Sequence, residues 1–382
     1  MSSSVSSSCW SQGERKSDLS AADSDINVEA SLGPELIRDE HIWFKDGNII
    51  ICAGPYHTGD GPMYGFRCHA SVLASRSPVF KTMLQLPNAS GRQLGGTPCV
   101  DLLDQWEDIR DLLRLLYGFP IVLPGRRHPD TLKIVAGPMR LAAKYEMDGI
   151  LNQLAPILER DWPSKYEDWM HAEKEFEQDY YDRHPDEILT GMTVDEYQDP
   201  AAAVQLAQQT RLLSILPAAF YDLSRIYLRT PAIRKPDGFF PRCANTRLLS
   251  RDDLERLAVG RERIAKYAAY QLGQNVWGEL ITGDALQLKG RCSKTDRTCL
   301  AYISSWLRTK LAGSDAMHIL SSDPMISLDR MAQQLEADNH SSEYLSPTCH
   351  TCRSWFAHLM RKEAKTLWDK LPEIFELDSL TS

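Results

Sequence analysis

The order of patterns between residues 36 and 162 constrains this chain most. Short β-prone runs come first and the amphipathic stripes follow them. His41-Ile42-Trp43-Phe44 and Asn48 to Ala53 are strand candidates separated by the turn dipeptide Asp46-Gly47. Gly59-Asp60-Gly61-Pro62 is a second turn, after which Tyr64 to Cys68 can return as a strand. His69 to Leu84 reads as two short helices, with Pro78 in the first turn of the second, where its missing N–H is not needed. Cys99 to Leu102 is a further strand. Asp104 and Glu107 form an Asp-x-x-Glu start signal for a helix carrying Ile109, Leu112, Leu113 and Leu116 on one stripe. Ile134, Pro138, Leu141, Ala142 and Tyr145 make a second stripe, and Leu151, Leu154, Leu158 and Trp162 a third. Strands followed by helices predict an α+β unit, not a doubly wound parallel sheet.

Several blocks within this unit have a recognisable spacing. They are Asp46 before the hairpin, Phe66-x-x-His69-x-x-x-Leu73-Ala74-x-x-Ser77-Pro78-Val79-Phe80-x-x-Met83-Leu84, Leu112 to Tyr117, and Leu141-Ala142-Ala143-Lys144-Tyr145-x-Met147. In order and spacing they resemble a BTB/POZ domain, over about a third of the chain. The resemblance implies an α+β BTB/POZ fold for 34–162, with Phe66, Leu73, Val79, Phe80, Leu112, Leu113, Leu116, Leu141 and Tyr145 in its core. The Asp46-Gly47-Asn48-Ile49-Ile50 start and the Lys365-x-x-Trp368-Asp369-x-Leu371-Pro372 end are similar to the large fungal, basidiomycete-like set of BTB proteins, whose C-terminal part is long and helical. That similarity implies surface work: a homodimerising scaffold for protein partners, or a substrate adaptor for a cullin-type ubiquitin ligase. His41 to Phe44 is then a strand that could pair across a two-fold axis.

The remainder divides by composition. Residues 1–33 hold eleven serines and no apolar periodicity, and read as a disordered tail without a secretory h-region. Residues 159–199 hold fourteen acids and four bases, a net charge of −10 in a chain whose total is −9. Within that stretch 163–200 reads as an acidic helical linker. Trp169, Glu173, Phe176 and Tyr180 form one seam at helical spacing, and the charged face is expected to solvate. Residues 201–382 read as a mostly α-helical region. Ala201 to Leu216 and Ala218 to Leu228 flank Pro217, and Ser250 and Asp253 cap a later helix. Arg225, Arg229, Arg234, Lys235, Arg242 and Arg247 gather around a loop containing Phe239 and Phe240. Such a loop can bind strand or phosphate. With an acidic chain overall, docking on the −10 segment is the expectation, and nucleic acid is not.

Chemistry is sparse. There is no Gly-x-Ser-x-Gly elbow, no His-Glu-x-x-His pair and no Walker loop, so no catalytic residue is assigned and a non-enzymatic role is expected. The rival is an enzyme with its site in the helical C-terminal region. His69, beside Cys68, is read as structural in the BTB resemblance. The nine cysteines are an odd number without a leader, which predicts an intracellular protein, nuclear or cytoplasmic, with thiols reduced or metal-bound. No run of apolar residues is long enough for a membrane span. Cys292, Cys299, Cys349 and Cys352 form the one metal candidate, for zinc. Cys349-x2-Cys352 has knuckle spacing and Cys292-x6-Cys299 is wider than it, while His340, His350 or His358 could replace one ligand. The competing expectation is four reduced cysteines packing two helix starts together. In the BTB resemblance, paired cysteines recur.

Overall fold

The run Ile49–Ala53 is apolar throughout and buried at every position, as a strand covered on both faces must be. In the computed structural model it is β2, at the centre of a five-stranded sheet. The structure describes residues 36–54, 61–86, 91–183, 197–226, 244–271, 292, 298–311, 323–337 and 348–380. The other strands are β1 (Leu36–Trp43), β3 (Met63–Cys68), β4 (Gln93–Leu94) and β5 (Thr97–Leu102), and the sheet order is β1-β3-β2-β5-β4. β2 and β3 form the expected antiparallel pair, with Ile51 opposite Phe66, and β5 lies parallel to β2 on its other side. β1 does not pair with β2, its neighbour in sequence. It runs parallel to β3 at the edge, where Leu36 packs over Gly65 and leaves no room for a Cβ there.

Seven helices belong to this part and its flank: α1 (Ala70–Arg76), α2 (Pro78–Gln85), α3 (Trp106–Leu116), α4 (Pro129–Lys144), α5 (Asp148–Asp161), α6 (Tyr166–Arg183) and α7 (Pro200–Thr210). Ser77 caps α2 by accepting from the Phe80 N–H, and Pro78 follows it at the first helical position, as expected. The Asp104–Glu107 start signal is not used. Gln105 is the N-cap of α3 and makes no side-chain cap, because Asp104 accepts from the Tyr145 hydroxyl and from Lys144 instead. The α3 stripe is Ile109, Leu112, Leu113 and Leu115, with Leu116 half-buried beside it. Phe66, Leu73, Phe80, Leu141 and Tyr145 are buried, and Val79 packs at the core's margin.

The C-terminal helices are α8 (Leu216–Ser224), α9 (Arg251–Lys266), α10 (Thr298–Leu311), α11 (Pro324–Glu336), α12 (His350–Asp369) and the short α13 (Leu371–Ile374). The helix expected over 201–216 stops at Thr210. Arg211 takes a left-handed φ of 57° and turns its N–H back to Ala207 and Gln208. A 3₁₀ turn follows, and Pro217 lies in the first turn of α8. Ser250 and Asp253 form a reciprocal capping box at the start of α9. Gly260 of α9 lies so close to the buried Phe375 ring that an added Cβ would stand 2.1 Å from two ring carbons.

A buried ion network joins the two parts. Arg225, at the C-cap of α8, reaches Glu173 of α6 at 2.9 Å and Asp323, the N-cap of α11, at 3.1 Å, and it also pairs with Asp222. Arg127, just before α4, pairs with the same Glu173 and donates to the Asp161 carbonyl. The Trp162 indole N–H reaches Asp222, and the Tyr221 hydroxyl donates to Asp323. Trp169 and Tyr221 lie against the Arg225 guanidinium at 4.9 and 5.1 Å. Arg225 thus meets the acidic segment as expected, through Glu173. The expected seam is buried at Trp169, Glu173 and Phe176, whereas the 1–33 tail and the basic loop from Arg229 to Arg242 lie outside the described residues. Among the described residues no helix is long and apolar enough to cross a membrane.

Two substitutions probe this packing. Gly260→Ala gains about 1 kcal/mol of helix propensity and loses about 1–3 kcal/mol to overpacking against a ring with nowhere to go. The expected outcome is a lower urea midpoint, and an unchanged or raised midpoint would show that Phe375 moves aside. Arg225→Met takes the cation from Asp222 and Asp323 and leaves Glu173 to Arg127 alone, and is expected to cost about 3–5 kcal/mol. A loss under about 1 kcal/mol in the same melt would mean water reaches the network.

Candidate metal centre

Two helix starts meet near residue 349. Thr298–Leu311 buries Cys299, Ile303, Trp306 and Leu307 on one stripe. His350–Asp369 buries Cys352, Phe356, Ala357, Met360, Ala364 and Leu367 on another. Each buried cysteine is therefore the first rung of an apolar stripe, and the packing that aligns the helices brings the two sulfurs together. Cys349 is the N-cap of α12, and Cys292 approaches on the segment ahead of α10.

The four sulfurs all lie within 4.8 Å of one another. The Cys292 Sγ is 3.8 Å from the Cys299 Sγ and 3.8 Å from the Cys349 Sγ. A disulfide would need about 2.05 Å. Four thiolates placed about 2.3 Å from a common tetrahedral centre are separated by about 3.8 Å. The two 3.8 Å separations match a closed thiolate cage, and the cluster has the size and donor set to hold a metal ion. The expected convergence of Cys292, Cys299, Cys349 and Cys352 is observed, and the x6 spacing is no obstacle, because Cys292 reaches the group from outside the helix. His350 and His358 are exposed and stand outside the group, while His340 lies outside the described residues.

Two local effects oppose each other at the sulfurs. Both α10 and α12 begin at the cluster, and the positive end of a helix stabilises a thiolate. The Cys349 N–H already donates to the Cys299 Sγ at 3.2 Å. Burial works the other way and pushes the Cys299 and Cys352 thiols above the usual range. A cation replacing the protons removes that conflict. Cys52, Cys68 and Cys99 are different. They are buried in and behind the sheet, with burial pushing Cys52 and Cys68 up to about 12, and they behave as small apolar side chains.

His69 is placed as a joint between β3 and α1. Its Nε2 lies 3.3 Å from Asp46, its Nδ1 lies 2.9 Å from the Tyr117 hydroxyl, and Phe44 packs against both rings. An open groove of about 590 Å³ runs between α9 and α13, but its cations are engaged locally: Arg263 holds Glu376 and two carbonyls, and Lys370 sits over Tyr267. Sequence reasoning did not single out Arg127, Asp222 or Asp323. Isolated charged residues within or beside helices carry no local mark of burial. Comparison with protein-family models and with curated protein sequences gives no match to this chain.

Proposed function

We propose that this protein is a non-enzymatic protein-interaction scaffold. In this reading residues 34–162 act as a BTB/POZ-type module, and the C-terminal helices are held together by zinc. The observation that carries the first part is topological. A β2–β3 antiparallel pair leads through α1 and α2 to β5, which returns parallel beside β2, and α3, α4 and α5 close the unit. That order accompanies the motif residues Phe66, Leu73, Phe80, Leu112, Leu113, Leu141 and Tyr145, all of them buried. Such a unit works by surface. β1 is an outer strand, and among the described residues its second edge pairs with no other strand, so it is available for a second copy. The mixed charges of Arg38, Asp39, Glu40 and His41 along it can pair with themselves across a two-fold axis.

Zinc is the metal that suits the second part, since a closed set of four cysteine thiolates at tetrahedral spacing is a structural zinc site. The metal would supply cross-linking and no open coordination position. Its residues, Cys292, Cys299, Cys349 and Cys352, would hold the 298–311 helix against the start of the 350–369 helix, closing a loop of 50 residues between Cys299 and Cys349.

Light scattering on the full chain is expected to give the mass of two chains, and a monomer at tens of micromolar would remove the homodimer. Metal analysis is expected to give about one zinc per chain. Chelation should then lower the helical circular dichroism signal by releasing the C-terminal helices. Less than about a tenth of an equivalent, in protein expressed with ample zinc, would remove the metal from this reading.

A further inference from the structure

The four cysteines are unequal in ways that bear on how the site could open. Cys299 and Cys352 are buried, whereas Cys292 and Cys349 are partly exposed. The sulfurs of those two residues are also adjacent, 3.8 Å apart. Cys299 and Cys352 are fixed as rungs of packed helical stripes. Cys292 lies on non-helical chain and is free of that constraint. The cage therefore has an inert inner edge and a solvent-facing outer edge, and the outer edge includes the ligand held least by secondary structure.

We propose that this outer edge makes the metal centre a peroxide-sensitive thiol switch, in which oxidation joins Cys292 to Cys349 and releases the zinc. The inference rests on the zinc reading above. The co-reactant is a hydroperoxide arriving from solvent. One exposed thiolate attacks a peroxide oxygen; an S–O bond forms, the O–O bond breaks, and hydroxide leaves and is protonated to water (an alkyl hydroperoxide would release the alcohol). The other thiolate attacks the sulfenic sulfur; the S–S bond forms, the S–O bond breaks, and a second hydroxide leaves and takes up a proton. The two sulfurs together lose two electrons, and the peroxide gains them. Closing from 3.8 Å to about 2.05 Å requires less than 2 Å of travel, a short step for a residue that lies outside the helices. Cys299 and Cys352 alone cannot complete a four-coordinate site, so the ion leaves. A dithiol reductant with free zinc reverses the step by exchange at the disulfide.

Cys52, Cys68 and Cys99 provide an internal control, since their burial shields them from the same oxidant. The test uses the full, zinc-loaded chain. Hydrogen peroxide is added stepwise while a colorimetric chelator reads free zinc, and disulfides are then mapped by peptide mass. The expected result is release of the zinc near about one peroxide per chain, a Cys292–Cys349 peptide pair, unmodified Cys52, Cys68 and Cys99, and recovery on adding dithiothreitol and zinc. Cys292→Ser, if it retains zinc, should resist release by at least about tenfold in peroxide. If that variant does not load zinc, the mapping on the wild-type chain decides alone. Zinc that stays bound at about tenfold excess peroxide, or a disulfide that does not join Cys292 to Cys349, overturns the switch and leaves the zinc reading standing. A chain that carries no zinc before peroxide is added fails the zinc reading itself, and the switch with it.

Discussion

Arg225 is a buried cation that three elements depend on at once. Its guanidinium satisfies Glu173 from α6, Asp222 from its own helix and Asp323 at the start of α11, while Arg127 meets the same Glu173 from the start of α4. Burying these charges is costly unless every member is paired. The network therefore tolerates few alternative arrangements of α4, α6, α8 and α11. Apolar packing would accept small shifts between these helices, but a network of two arginines and three carboxylates fixes them to within a hydrogen-bond length. The aromatic faces of Trp169 and Tyr221 complete the enclosure and keep water from competing.

Around that joint the molecule divides its labour. The sheet and its first five helices build a small α+β body whose outer strand, among the described residues, pairs along one edge only. The later helices gather a cluster of four cysteines at one side. In the reading advanced here, the first supplies a surface for other proteins and the second supplies rigidity. Neither needs a substrate pocket or a poised acid–base pair. His69 illustrates the point: a histidine beside a carboxylate and a tyrosine has the ingredients of a relay, yet its partners serve to lock the chain where β3 becomes α1.

Much of the first body was legible in the sequence because its signals are local. Ser77-Pro78 starts a helix wherever it occurs in such a context, and the all-apolar run at 49–53 admits little besides a buried strand. What was not legible depends on residues far apart. The partner of β1 could not be read, since a strand's side-chain period is the same whether it pairs with its sequence neighbour or skips it. Asp104 looked like a capping residue until Tyr145, 41 positions on, took its carboxylate. On α3 the periodicity allowed Leu116, where the fold buries Leu115 and leaves Leu116 at the core's margin. For the metal candidate, residue type was informative and spacing was not. Cys292 reaches its place by tertiary approach, which no count of intervening residues encodes.

The 350–369 helix spans 20 residues, which is about 30 Å of rise. Cys349 and Cys352 stand at one end. Near the other, Lys365 pairs with Glu167 and the Trp368 indole N–H is bonded to the Ser164 carbonyl, at the threshold of α6. It is thus a lever whose pivot is the sulfur cluster and whose tip rests where the first body hands the chain to the second. A rotation of about 5° at the pivot carries the tip through about 2.6 Å, nearly the length of the hydrogen bond it holds. One continuous helix thus joins the sulfur cluster to a tryptophan a helix-length away, whose emission reports its surroundings.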